Sequence, residues 1–191
     1  MPNSRKIFRT VWILGIVAVI SAVGAFSAFS SQTDNPGNIV TAGSVVISDN
    51  DGGSALYTIT NAKPGSTQTS CIRVLYTGTL DADVKLYTPS TVGALAPYVN
   101  LKIEPGTQAT PSFPSCTGFT PDGAAIFDAA LSTFPTTYAG GVVDNPGSTT
   151  KWVTNDAVVY RVTATVAASI PDAQQGGTTG LHTLRWEAQN Q

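Results

Sequence analysis

The sequence is poor in the residues that carry out chemistry. Among 191 residues there is one histidine, His182, one methionine and two cysteines, and charged residues make up only 12%. With a single histidine an H-E-x-x-H zinc site cannot form, and the nearest acid, Glu187, falls on the opposite face of a strand from His182. His182 therefore reads as a structural residue. No G-x-S-x-G presents a nucleophilic serine, and no G-x-x-x-x-G-K loop cradles a phosphate. The acids are scattered through turns, with Asp81/Asp83 and Asp49/Asp51 the close pairs, so a glycosidase carboxylate pair would have to be assembled from distant positions. Asp49-Asn50-Asp51-Gly52-Gly53 opens like a calcium loop but places Gly53, Tyr57 and Thr60 where the later ligands should stand, and it reads as a tight turn. These absences point away from an enzyme and imply neither cofactor nor metal.

The amino-terminal stretch has the layout of a signal peptide. Arg5, Lys6 and Arg9 precede a segment, 11–28, with no charge at all. Its apolar run, 12–23, is shorter than the roughly 18–20 residues of a spanning helix, and small residues follow it. A cut after Ser27 would satisfy the small-x-small rule with Ala25, whereas a cut between Ala28 and Phe29 would place Phe26 at the minus-three position. An uncleaved anchor is the rival reading, because apolar character extends to Phe29. The leader holds three of the ten basic residues and none of the twelve acids, which leaves seven bases against twelve acids beyond it, a net charge of −5. Such a chain is a poor partner for nucleic acid or an anionic membrane surface. In an exported protein, Cys71 and Cys116 are expected to form a disulfide, since oxidising compartments preserve such bonds and an even count leaves none over.

Beyond the leader the chain is long enough for one domain with a sizeable core. Period-two alternation recurs along it and predicts an all-β fold in which a second sheet covers each apolar face. Strands are expected over 38–48, weakened at Gly43, over 55–60 and over 67–77, where Ile72, Val74 and Tyr76 share a face. Others are expected around Val84 and Leu86 and from Val99 to Glu104, ending before Pro105-Gly106. Val158 to Ala168 reads as a long central strand, and in the last strand Leu184, Trp186 and Ala188 point inward. Between 107 and 147 prolines interrupt the pattern. There Ala124–Phe134 has near-helical apolar spacing, with Thr120-Pro121 as a candidate start. The expected organisation is a signal peptide at 1–28, an arm at 29–38, and a β-sandwich at 39–191 with an irregular, partly helical insertion at 107–147.

Several short motifs occur in an order and spacing that resemble one family. Phe29-Ser30-Ser31 followed by Thr41-Ala42-Gly43 resembles the mature start of the TasA and camelysin family, fibre proteins of Gram-positive biofilm matrices. Asn61-Ala62-Lys63-Pro64-Gly65 is similar to that family's N-L-K-P-G turn, Gly78-Thr79-Leu80 to its G-S-L step, and Leu184 to Gln189 to its closing F-x-W-E-A-Q strand. The resemblance implies a leader cut between Ala28 and Phe29 by a dedicated signal peptidase and a jelly-roll β-sandwich. It also implies a donor arm, Phe29, Ser30, Ser31, Gln32, Thr33 and Asp34, that adds as a strand to the next subunit. The implied protein is secreted to the extracellular matrix or cell surface, with other copies of itself and related matrix proteins as partners and no membrane contact after cleavage. The two cysteines and the proline-rich insertion depart from the family's core pattern. Members described as metallopeptidases suggest an activity for which this sequence has no zinc motif. A monomeric secreted module binding a surface glycan or protein is the alternative, and would need exposed aromatics such as Tyr87, Tyr98 or Tyr138.

Overall fold

A computed structural model of the protein describes Gly37, residues 39–146 and residues 150–190. The chain divides into two compact units, Met1–Thr41 and Ala42–Gln191, and the named strands all belong to the second. They are β1 (Ile47–Asp49), β2 (Thr67–Tyr76), β3 (Asp83–Tyr87), β4 (Val99–Gln108), β5 (Phe119–Pro121), β6 (Phe127–Ala130), β7 (Val142–Val143), β8 (Ala157–Val166) and β9 (Arg185–Gln189). The larger sheet runs β1-β2-β8-β4-β5 with β6 also on β4, and the smaller runs β7-β3-β9. Every pairing is antiparallel. The expected all-β sandwich is what the chain builds.

Alternation explains the core. Ile72, Val74 and Tyr76 of β2, Val158, Tyr160, Val162 and Ala164 of β8, and Leu101 and Ile103 of β4 are all buried in one cluster. Val84 and Leu86 of β3 meet them from the smaller sheet, joined by the half-buried Leu184, Trp186 and Ala188. Each large side chain fully withdrawn from water contributes about 1.5–3 kcal/mol. β8 lies between β2 and β4, which makes it the central strand of the larger sheet. Trp152, fully buried, fills the space beside an isolated bridge to Ala82, and its Nε1 donates to the Asp144 carbonyl at 2.6 Å.

The insertion is strand, not helix. Phe127–Ala130 pairs with β4, Ile103 opposite Phe127 and Asn100 opposite Ala130, and only the three-residue 3-10 turn Leu131–Thr133 follows. The open edge of β4 decides this: a helix would leave its backbone groups unpaired, whereas β6 satisfies them and sets Phe127 edge-on against Phe134 at 4.8 Å. Pairing with β8 and β5 carries β4 through Pro105-Gly106, beyond the expected end of the strand. Pro105 lacks a donor, but its carbonyl accepts from the Asp122 amide at 3.0 Å. At Gly106 an added Cβ would collide with the Thr120 carbonyl oxygen and the Phe119 ring, so glycine is what lets β5 approach.

Two expected strands are shortened or lost. Of 38–48, only Ile47 and Ser48 join a named strand. Residues 44–46 lie alongside 77–80, Thr79 N–H reaching the Ser44 carbonyl and Thr77 N–H the Val46 carbonyl, both at 2.9 Å. Asn38 lies outside the described residues. Residues 55–60 form no strand.

Candidate functional site

The smaller sheet has three strands, and β9 forms one of its edges. Among the described residues no strand pairs with the outer side of β9 along Arg185–Ala188. β1, the edge strand of the larger sheet, approaches β9 on the same side of the sandwich. Between the two sheets at this side opens a cavity of about 1450 Å³, with Ile47, Val74, Val166, Leu184 and Trp186 among its walls. An edge strand offers a row of unpaired amides and carbonyls, and here that row borders a cleft with apolar walls such as Leu184 and Trp186 and polar residues such as Asp49 and Gln174. An extended peptide could add to the sheet there while placing alternate side chains inside.

Residues 55–60 lie along this opening. Leu56, Tyr57 and Ile59 are half-buried against the core, while Ala55, Thr58 and Thr60 are exposed. Two hydrogen bonds pin the segment. Thr58 N–H donates to Gln68 Oε1 at 3.0 Å, and the Tyr57 hydroxyl meets His182 Nε2 at 2.6 Å. His182 Nδ1 lies 3.0 Å from the Gly180 carbonyl, which can only accept, so Nδ1 carries the proton and Nε2 accepts from Tyr57. Burial pushes the Tyr57 phenol far above its ordinary value and keeps it a donor. His182 is thus a structural acceptor. Beside it, Trp186 packs 5.4 Å from the Tyr160 ring, with its indole Nε1 buried.

On the outer face of the larger sheet, Cys71 and Cys116 are joined, with Cα atoms 5.1 Å apart and a sequence separation of 45. The bond holds residues 109–118 as a strap, and the Cys71 amide donates to the Pro114 carbonyl at 3.0 Å. Next to it the Arg161 guanidinium lies 4.7 Å over the Phe119 ring and its Nε reaches Glu104 at 2.8 Å, while Lys102 reaches Glu104 at 2.9 Å. Arg161 first, then Lys102, hold the Glu104 carboxyl below the usual carboxylate range against the opposing pull of burial. This cluster braces the sheet.

The remaining candidates divide clearly. Ala28 and the arm Phe29, Ser30, Ser31, Gln32, Thr33 and Asp34 lie outside the described residues. Asp51 Oδ1 accepts from Gly53 N–H at 2.6 Å and Asp49 Oδ1 from Asp51 N–H at 3.2 Å, so 49–53 is the expected turn. Asp83 is engaged by Lys151 at 2.8 Å. Tyr87 is buried with its hydroxyl on Glu187, Tyr138 donates to the Asp83 carbonyl, and Tyr98 is half-buried, so the three make no exposed aromatic patch. Among the described residues no three His, Cys, Asp or Glu side chains converge, and no helix is long and apolar enough to cross a membrane. The cleft itself was not legible in the sequence; its one trace is 55–60, a strand-like stretch on the amino-terminal side of an Asn-x-x-Pro-Gly turn.

The chain matches no family model and no curated protein. The fold and the site define a class by themselves: an all-β sandwich, strapped by a disulfide on one face and open along one edge.

Proposed function

We propose that this is a secreted structural protein of the extracellular or biofilm matrix, assembling by donor-strand addition of its amino-terminal arm. The observation that carries the reading is the outer edge of β9 over the 1450 Å³ cleft. An arm from a second copy, Phe29 to Asp34, would satisfy the backbone groups of that edge and bury its apolar side chain among Ile47, Leu184 and Trp186. The Cys71–Cys116 bond belongs to the oxidising surroundings that such a protein meets after export. The sequence resemblance to the TasA and camelysin family supports the same reading, including removal of the leader between Ala28 and Phe29. A monomeric glycan- or protein-binding module draws less support, because Tyr87 is buried and Tyr98 and Tyr138 are half-buried.

The test compares the secreted protein with a form lacking Phe29–Asp34, by amino-terminal sequencing and sedimentation. A mature chain that begins at Phe29, sediments as large assemblies and becomes monomeric without the arm is the expected result. If both forms stay monomeric under all conditions, the reading fails and a soluble binding module is the better account.

A further inference from the structure

The cleft is not vacant along its whole length, because residues 55–60 already occupy part of it. Their composition, Ala-Leu-Tyr-Thr-Ile-Thr, is that of a strand, with β-branched and aromatic residues at four of six positions. Yet the segment pairs with no strand. It sits between two swivels: Gly52 and Gly53 on one side have φ of 61° and 82°, and Asn61 and Gly65 on the other have φ of 50° and 81°. Among the described residues, its amides and carbonyls make one hydrogen bond to a side chain, Thr58 to Gln68, and its one side-chain hydrogen bond is Tyr57 to His182. A strand-forming sequence held irregular by so few hydrogen bonds, beside a sheet edge that no strand among the described residues pairs, has a second conformation within reach.

We propose that residues 55–60 are the resident occupant of the acceptor cleft and that they rebuild as a strand when the arm of a second copy enters. This rests on the donor-strand reading above and adds to it a gate belonging to the acceptor. In the lone subunit Leu56, Tyr57 and Ile59 shield the cleft from water, and the Tyr57–His182 bond keeps them there. Entry of the arm displaces that filling. The segment then pivots on Gly52-Gly53 and Asn61, and its backbone groups pair in the enlarged sheet. Such a gate prevents uncontrolled edge-to-edge association of free subunits while leaving the edge accessible to an arm.

Hydrogen exchange read by mass spectrometry on the mature wild-type chain, before and after assembly, tests the gate without any substitution. Amides 55–57, 59 and 60 should exchange freely in the monomer, more readily than the Thr58 amide that Gln68 holds, and become protected at least about 100-fold in the assembly, as ladder amides are. Alongside it, Tyr57→Phe, checked for native folding by circular dichroism, removes the pin and should raise the assembly rate roughly fivefold, the worth of one net hydrogen bond. If the chain assembles but 55–60 stay unprotected and Tyr57→Phe assembles at the wild-type rate, the gate is wrong and donor-strand addition stands. If the full mature chain does not assemble at all, the donor-strand reading falls and the gate with it.

Discussion

Replacing Cys71 and Cys116 together by alanine removes the cross-link and isolates its effect on the unfolded chain. The bond spans a sequence separation of 45. In the chain-entropy treatment, opening a loop of that size returns freedom worth about 4 kcal/mol to the denatured ensemble. Alanine is the better replacement at position 71, where only 2% of the residue is exposed, because serine would bury a hydroxyl. Urea unfolding followed by tryptophan fluorescence reads the change, and Trp152 and Trp186 both sit in or against the core. With a slope of about 2 kcal/mol/M, the midpoint should fall by about 2 M, and the slope should rise as the uncrosslinked chain expands. Wild type unfolded in the presence of a reductant should fall by nearly the same amount, which separates loss of the bond from loss of two sulfur atoms. A midpoint shift under about 0.5 M in both experiments would refute the reasoning, since it would mean that the strap is held or the denatured chain confined by something other than the bond.

Other perturbations have equally definite outcomes. Leu101→Ala empties a fully buried position between the sheets and should cost about 3 kcal/mol in the same unfolding assay. Gly106→Ala should cost about 2 kcal/mol or more, because its Cβ meets the Thr120 carbonyl and the Phe119 ring, and β5 must move away from β4. Arg161→Met leaves Glu104 with Lys102 alone and should cost about 1.5–3 kcal/mol, the worth of a hydrogen bond to a charged group. The Glu104 carboxyl titrates lower folded than unfolded, so its contribution is full above about pH 4.3 and is lost as pH falls through its depressed folded value. Between pH 7 and pH 3 the urea midpoint of wild type should therefore drop further than that of Glu104→Gln.

Alternation made most of the sandwich legible. The inward sets Ile72/Val74/Tyr76 and Leu184/Trp186/Ala188 follow directly from period two, as does the central place of β8, whose ten residues carry the clearest repeat in the chain. The failures share one cause. Ala124–Phe134 has helical spacing, yet the unpaired edge of β4 captured Phe127–Ala130 as a strand. Ala55–Thr60 has strand composition, yet no edge is paired to it. In both, the partner and not the segment decides the structure, and partners distant in sequence leave no local signature. The disulfide could be anticipated because counting cysteines needs no geometry. The cleft could not, because it exists only where edges of two sheets, β1 and β9, come to the same side.

The strap also bears on how many neighbours a subunit of the proposed assembly could have. β2 extends well beyond its three-residue partner β1, and two of its outer amides are taken: Cys71 by the Pro114 carbonyl, Arg73 by the Asn50 side chain at 2.8 Å. β5 and β6 cover the far side of β4, and β7 is only two residues long. Under the donor-strand proposal, one arm and one receptive edge would give each subunit a valence of two, and a heterologous contact of that kind would grow as an unbranched line. In that case, release of the strap from β2 would expose a further edge to pairing.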